Sequence, residues 1–437
     1  MIRNFSFYSS KIAFYFTIVV LFILFLNLLR TTSISLEPLF NGDYKNLSYS
    51  TWAISEWLIN YEGGFVRRGL FGELLLLAYK IHSYDVKFTI LIINSFFFFW
   101  CAYLTYKTCH NLNISTIPIL VVFCGTMLPF NQYRRDFLIL TLTFYIFKLY
   151  FDYLKTKEHK YLFSFILLMS LCILIHEASF FFSIPILTCL FWFSINDKLF
   201  SKNKLIQCCK IFSIPILIMA LACFMKGSEN VAQDIWKSWT PIFHSYPEDN
   251  AFPVMGSGVA FLQREFLPTA GFHLELNYYI WGYPFVTSFM HIFSVFCSLV
   301  ATYFLLTFNP EINFCKRTIY IKKKICLGNI LLIQYIFMLP MFTILSCDFG
   351  RTILYCVISS LFFYYFLEKT RVQIHTPRLF SKFFGYNHLQ DSNVCQRLLW
   401  LYLIIVILFP IRAYGGIMIP DDCYLNKFIH FCSELFT

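Results

Sequence analysis

The run YLFSFILLMSLCILIHEASFFFSIPILTCLFWFSI (Tyr161–Ile195) holds no Asp, Lys or Arg, and its one His and one Glu stand together in the middle. Apolar residues fill every face of any helix drawn through it, which is the pattern of helices surrounded by lipid or protein rather than by water. The reading is two spans, Tyr161–Ile175 and Ala178–Ile195, broken at His176-Glu177. That break is either a tight hairpin or a kink in one long helix.

The same pattern recurs in both directions. Of 437 residues, 58% are hydrophobic, 21% aromatic and only 14% charged, where a soluble domain carries about a quarter charged. Further spans are expected at Ile12–Leu29, Phe88–Tyr106, Ser115–Phe130, Phe137–Phe151, Leu205–Met225, Trp281–Phe308, Ile325–Leu345, Thr352–Leu367 and Leu398–Ile411. The fold class is therefore all-α: a polytopic integral membrane protein of about 11 transmembrane helices forming one transmembrane domain over 1–437. Sheet-like alternation is absent, which argues against a transmembrane barrel. Ile12–Leu29 follows the basic start Met1-Ile2-Arg3 but is too long, and lacks the small-residue cleavage site, for a signal peptide. Three polar regions interrupt the hydrocarbon: a first loop, 30–87, a long loop, 226–280, and a tail, 413–437. In the first loop, Tyr49–Asn60 and Leu70–Ile81 read as interfacial or partly inserted helices, short for a full crossing.

Charge sets the orientation, because short cytoplasmic loops are enriched in Lys and Arg. With the N-terminus inside, the inner segments hold 20 basic and 6 acidic residues, and the outer ones 14 basic and 18 acidic. Reversal would put Lys322-Lys323-Lys324 and Lys198, Lys202 and Lys204 outside. The expectation is a membrane protein with its N-terminus inside and its C-terminus outside. The net charge of +11 then follows from topology and does not point to nucleic acid.

With that orientation, four polar clusters fall on the outer side. They are Glu62-Gly63-Gly64-Phe65-Val66-Arg67-Arg68-Gly69, then Arg134-Arg135-Asp136, then His176-Glu177, and finally Asp348-Phe349-Gly350-Arg351. Each alone is explained as a charged helix end; four on one face suggest a shared polar cavity. Guanidinium forks suit a diphosphate, so Arg67, Arg68, Arg134, Arg135 and Arg351 are expected to bind one, with Asp136 beside them. Glu62 is the favoured general base for an acceptor hydroxyl, with His176, Glu177 and Asp348 as further candidates. In the long loop, Trp236, Trp239 and Trp281 among carboxylates suit either sugar stacking or an aromatic belt at the headgroups. Arg264, beside Glu265, is that loop's candidate substrate contact. Pro241, Pro247, Pro253 and Pro268 are expected to divide the loop into short segments.

Other chemistry is missing. No G-x-x-x-x-G-K-[ST] loop and no dinucleotide fingerprint occurs, so the donor is expected on a lipid rather than from cytosolic nucleotide. No metal-ligand spacing is present, and no cofactor is expected, although converging carboxylates leave a divalent ion open. The sixteen cysteines follow no zinc spacing. Cys423 and Cys432, both in the outer tail, can form a disulfide, which separation alone does not establish.

In its many spans, its large outer loop and the four clusters quoted above, the chain resembles the O-antigen polymerases of bacterial surface-polysaccharide (lipopolysaccharide) assembly. It is similar also to the broader GT-C class of lipid-dependent glycosyltransferases, whose first outer loop often carries a catalytic acid; here Glu62 occupies that loop, with Asp43 and Glu56 as weaker candidates. The resemblance implies a glycosyltransferase joining polyprenyl-diphosphate-linked oligosaccharide repeat units on the periplasmic face. Its partners would be that lipid-linked glycan, membrane lipid and a chain-length regulator or other assembly protein. The chain lacks two equivalent arginine motifs in two large outer loops, which leaves a single-addition transferase using a polyprenyl-monophosphate sugar open. A non-enzymatic flippase of lipid-linked glycans is the third reading; Lys148 and Gln334 are the main polar residues within spans that it can draw on.

Overall fold

The computed structural model describes residues 55–112, 134–195, 197, 200–225, 227–243, 259, 327–343, 345 and 349–370. Expected spans Ile12–Leu29, Ser115–Phe130, Trp281–Phe308 and Leu398–Ile411 lie outside these residues, as do Asp43, Trp281, Cys423 and Cys432. Among the described residues every regular element is helical. They fall into two units, one within Leu24–Leu104 and Pro129–Ala270, the other within Met1–Ile23, Thr105–Leu128 and Gly271–Thr437.

Among the described residues the first unit has a 3-10 turn, Glu56–Leu58, then α1 (Gly69–Ile81) and α2 (Val86–Leu112), whose residues up to Leu104 belong here. Then come α3 (Asp136–Thr156), α4 (His159–Ile175), α5 (Ala178–Ser194), α6 (Lys202–Phe224) and α7 (Glu229–Phe243). Helices α2, α3 and α6 are long and apolar enough to cross a bilayer; α4 and α5 are shorter apolar helices. This composition is compatible with a membrane protein.

The break at His176-Glu177 is a hairpin. Tyr150 on α3 packs its ring 5.2 Å from that of Phe165, near the start of α4, and donates its hydroxyl to the Leu187 carbonyl, late in α5, at 3.1 Å. Twenty-two residues of unbroken helix would put Phe165 and Leu187 about 33 Å apart. Only a chain that folds back brings both to one tyrosine. Phe212 of α6 seals the same layer, 6.0 Å from Phe165 and 6.3 Å from Phe191. Tyr150, Phe165, Phe191 and Phe212 are all buried, and each ring removes a large apolar area from its surroundings. At the other end of the pair, the Cys172 thiol lies 4.0 Å from the Ile139 carbonyl. Helices α3 to α6 therefore alternate in direction, so the start of α3, the α4–α5 turn and the end of α6 share one end of the bundle.

The first loop differs from expectation over 55–60. Instead of a helix through Asn60, the α-helical state stops at Ser55 and only a 3-10 turn follows. Ile59 is extended, and the carbonyls of Trp57 and Ile59 face Gly72 while that of Leu58 accepts the Trp239 indole N–H at 2.8 Å. Carbonyls engaged sideways are not available to a following helical turn. Leu70–Ile81 is helical as expected, beginning one residue earlier. The long loop also differs: α7 runs past Pro241 to Phe243. Its Ala232, Ile235, Trp236 and Trp239 are buried, a spacing that makes one helix face.

The second unit contains the last residues of α2, then α8 (Leu327–Phe337), α9 (Leu339–Thr343) and α10 (Phe349–Thr370). The expected single span Ile325–Leu345 is broken at Met338, where Pro340 has no N–H to continue the ladder. Residues Arg351–Thr370 of α10 are long and apolar enough to cross a bilayer. Gln334 donates to the Ser359 hydroxyl at 3.0 Å, tying α8 to α10.

Candidate functional site

At the shared end of α3–α6 the sequence delivers guanidinium and carboxylate groups from three separate turns. The stretch before α1 turns sharply because Gly64 takes a left-handed φ of 111° and Arg68 one of 65°. A residue with a Cβ adopts that region only when its surroundings hold it there. Here they do. The Arg68 carbonyl accepts a hydrogen bond from Arg135 Nη1 at 2.8 Å, and its side chain reaches the α4–α5 turn. Gly63 lies against α7, where a Cβ would stand 2.6 Å from the Val231 carbonyl oxygen. Asn60 accepts the Glu62 N–H at 3.1 Å and donates to Ser238 of α7 at 2.8 Å.

The centre of the cluster is Arg68 with Glu177. Arg68 Nε donates to Glu177 Oε1 at 2.9 Å and Oε2 at 2.8 Å, and its Nη2 donates to Oε1 as well. Its Nη1 lies 3.6 Å from Glu56 Oε1, which in turn is 3.9 Å from Arg134 Nη1. Arg134, Arg135, Asp136 and Glu56 are all buried. Glu177 is 17% exposed and Arg68 23%. Burial by itself would raise the Glu177 carboxyl, but Arg68, His176 and Arg67 outweigh it and hold the group well below the usual range. Arg67 is shifted down chiefly by burial, partly offset by Glu177; it stays charged at any working pH. Tyr61, on the same loop, is pushed up to about 12 by burial and then by Glu73, with Arg135 opposing. Glu73 of α1 also accepts the Tyr61 N–H at 2.9 Å.

His176 is the extended residue that ends α4. Its Nδ1 accepts the Ala178 N–H at 3.2 Å and stands 3.6 Å from Glu177 Oε2, beyond hydrogen-bond range.

Thus the structure brings together Arg67, Arg68, Arg134, Arg135, Asp136, His176 and Glu177, and adds Glu56 at the centre. Glu62, the carboxylate favoured from the sequence, stands apart: it is exposed and ion-paired with Lys80 of α1. The reason is local. The turn at Gly63-Gly64 separates it from Arg67, and the Asn60 amide fixes its backbone. Arg351 belongs to the second unit, where it is buried and donates to the Tyr355 hydroxyl at 3.2 Å, one turn along α10. Asp348 and Arg264 lie outside the described residues. Trp236 and Trp239 are not open stacking faces; they are buried where α7 packs on the first loop. Sequence reasoning ranked Glu56 low and missed Asn60, Glu73 and Ser238. The only available signal was the nearness of Glu56, Asn60 and Glu73 to the arginine pair. Among the described residues no group of three or more His, Cys, Asp or Glu side chains is arranged to hold a metal ion.

Chemically, the cluster offers four guanidiniums to three carboxylates at the mouth of a helix bundle, an environment that favours an added anion. Comparison with known proteins finds no matching family model, no matching curated protein and no matching solved structure.

Proposed function

We propose that the chain is a multi-pass glycosyltransferase of the bacterial inner membrane, with about 11 spans, a cytoplasmic N-terminus and a periplasmic active site. Its reaction joins polyprenyl-diphosphate-linked oligosaccharide repeat units, in the manner of an O-antigen polymerase. The single observation carrying this reading is the convergence of Arg67, Arg68, Arg134 and Arg135 with Glu56 and Glu177 from three turns at one end of the bundle. Guanidinium groups stabilise the negative charge that grows on a departing diphosphate. The bond from the anomeric carbon to the diphosphate oxygen breaks, and its electron pair leaves with the diphosphate. The acceptor hydroxyl oxygen forms the new bond, and its proton passes to water at the partly open edge of the cluster, where Glu177 and Arg68 keep some exposure.

A second reading is supported by one observation. Arg68 is committed to Glu177, and Arg134 shares Glu56, which lowers the charge left for a ligand and suits a polyprenyl-monophosphate sugar with one phosphate. Deleting the gene and sizing the surface polysaccharide separates the possibilities. Loss of long chains with one repeat unit kept is the result expected of a polymerase. Loss of all repeat units points to a single-addition transferase or a flippase. Unchanged chains would overturn the assignment to glycan assembly.

A further inference from the structure

We infer that Arg67 is the guanidinium that contacts the phosphate of the ligand, whereas Arg68 is a positioning residue; this rests on the reading that the site receives a phosphate-bearing glycan carrier. The two are neighbours in sequence, and nothing in the motif distinguishes them. Their surroundings do. Arg68 turns Nε and Nη2 onto Glu177, lies with Nη1 near Glu56, and has its backbone carbonyl held by Arg135. To engage a ligand it would have to abandon a two-oxygen pair and leave Glu177 charged and uncompensated, which is costly in a mostly buried place.

Arg67 sits half-buried in the same cluster, within electrostatic reach of Glu177, Arg68, Glu56 and Cys223 at the end of α6. Among the described residues it makes no hydrogen bond and no ion pair. A guanidinium has five N–H donors, and on this half-buried residue they remain open to a ligand. A planar fork already drawn into a positive cluster, with its donors unspent, is suited to two oxygens of one phosphate. Arg134 and Arg135 are buried and supply field rather than contact. On this division of labour the Arg68–Glu177 pair is a brace that fixes the turn from which Arg67 projects.

The test uses the full-length protein in detergent, with inorganic pyrophosphate and a polyprenyl diphosphate in micelles as probes. Arg67→Ala should keep the ligand-free melting temperature and weaken binding of the lipid probe about ten-fold or more, the effect of losing a charged hydrogen-bonding partner. Arg67→Lys should restore only part, since an ammonium keeps the charge and loses the fork. Arg68→Ala should lower the ligand-free melting temperature, and the exchanged pair Arg68→Glu with Glu177→Arg should recover that temperature and most of the affinity. Affinity unchanged in Arg67→Ala, or affinity lost in the exchanged pair despite a recovered melting temperature, would overturn the inference. So would a wild-type protein that binds neither probe. Binding of pyrophosphate equal to that of the lipid probe assigns the contact to the diphosphate alone. If Arg67→Ala abolishes binding while gene deletion leaves surface glycans unchanged, the Arg67 contact stands and the polymerase reading falls. If deletion shortens the glycans and Arg67→Ala binds normally, the reverse holds.

Discussion

The two ends of the α3–α6 bundle carry positive charge in different forms. At the end where α3 begins the cations are Arg134 and Arg135, both buried, joined by Arg68 from the first loop. At the end where α3 gives way to α4 and α5 to α6 they are lysines: Lys155, Lys157, Lys160, Lys202 and Lys204. Most of these are solvent-exposed, and several lie by aromatic rings, as Lys157 over Tyr153 at 5.5 Å and Lys204 over Trp192 at 5.9 Å. An ammonium is strongly hydrated and holds little geometry, so it suits a solvated or headgroup-facing rim. A guanidinium is less strongly hydrated and holds two oxygens at a fixed angle, so it suits a buried network. The difference teaches that only one end is built to fix positions. On the proposed function, the lysine end answers a topological requirement and the arginine end a chemical one.

The comparison is broken most severely at Glu177. Glu177→Gln keeps the shape and removes the charge, leaving Arg68 without its main anion. The cost expected is about 3 kcal/mol, the lower end for a buried pair losing one member, because both groups retain some exposure. A clear fall in melting temperature in detergent would show it; a melting temperature equal to wild type would mean the arginine end is no more organised than the lysine end. The same pair sets a pH dependence. Glu177 is held well below its ordinary value near 4.5, so in acid the folded state binds fewer protons than the unfolded one, and stability rises with pH. The contribution is complete above about 4.5 and is lost as pH falls through the lower folded value. The gap between wild type and Glu177→Gln should therefore narrow as pH is taken down below about 4.5.

A smaller effect is expected from Gly72→Ala, which tests whether the arginine end is fixed by packing as well as by charge. Alanine gains about 1 kcal/mol over glycine inside a helix. Against this, a Cβ at residue 72 would lie 2.0 Å from the Ile59 carbonyl oxygen and 2.8 Å from that of Trp57. Those atoms are backbone and cannot swing aside, so overpacking, at about 1–3 kcal/mol, outweighs the helical gain. The expected result is a net loss of about 1 kcal/mol in thermal stability, with reduced activity because Glu56 sits one residue from Trp57. A stabilised variant would show that the first loop moves freely over α1.

How much of this was legible beforehand follows from which signals are local. Uniform apolarity over Tyr161–Ile195 gives helices, and a lone His-Glu pair marks their break; hairpin or kink is decided only by Tyr150, Phe165, Leu187 and Phe212 meeting in space. The arginine pair and His176-Glu177 were legible as one site because topology puts alternate turns on the same end. The base was not. Glu62 and Glu56 lie on either side of the Asn60 turn, and sequence distance from Arg67 favours Glu62. A backbone turn at Gly63-Gly64 sends Glu62 to Lys80 instead, and no composition or periodicity encodes that direction. The role of the tryptophans was equally hidden, since an indole that stacks on sugar and one that donates to Leu58 look alike in one dimension.

At the lysine end the smallest effect is expected, and it sharpens the contrast by its absence. Lys160 pairs with Glu158 at 2.6 Å, but both side chains are largely exposed. Glu158 raises the lysine's pKa by hydrogen bond and charge, yet water screens the pair, and fixing two long side chains costs entropy. Lys160→Ala should leave the melting temperature where it is, at neutral pH and at any salt concentration. It should also leave glycan extension unaltered, because the α3–α4 turn lies at the far end of the bundle from Arg67. Its readout is orientation instead. On the proposed orientation, replacing Lys155, Lys157 and Lys160 together by Glu removes the positive charge that would keep this turn on the cytoplasmic side, and protease or thiol-label access to the turn from the periplasm measures the outcome. A triple variant that inserts normally while Glu177→Gln is destabilised would mean that the arginines alone hold the functional end in place. A triple variant that inverts would mean that the lysines determine which side of the membrane that end faces.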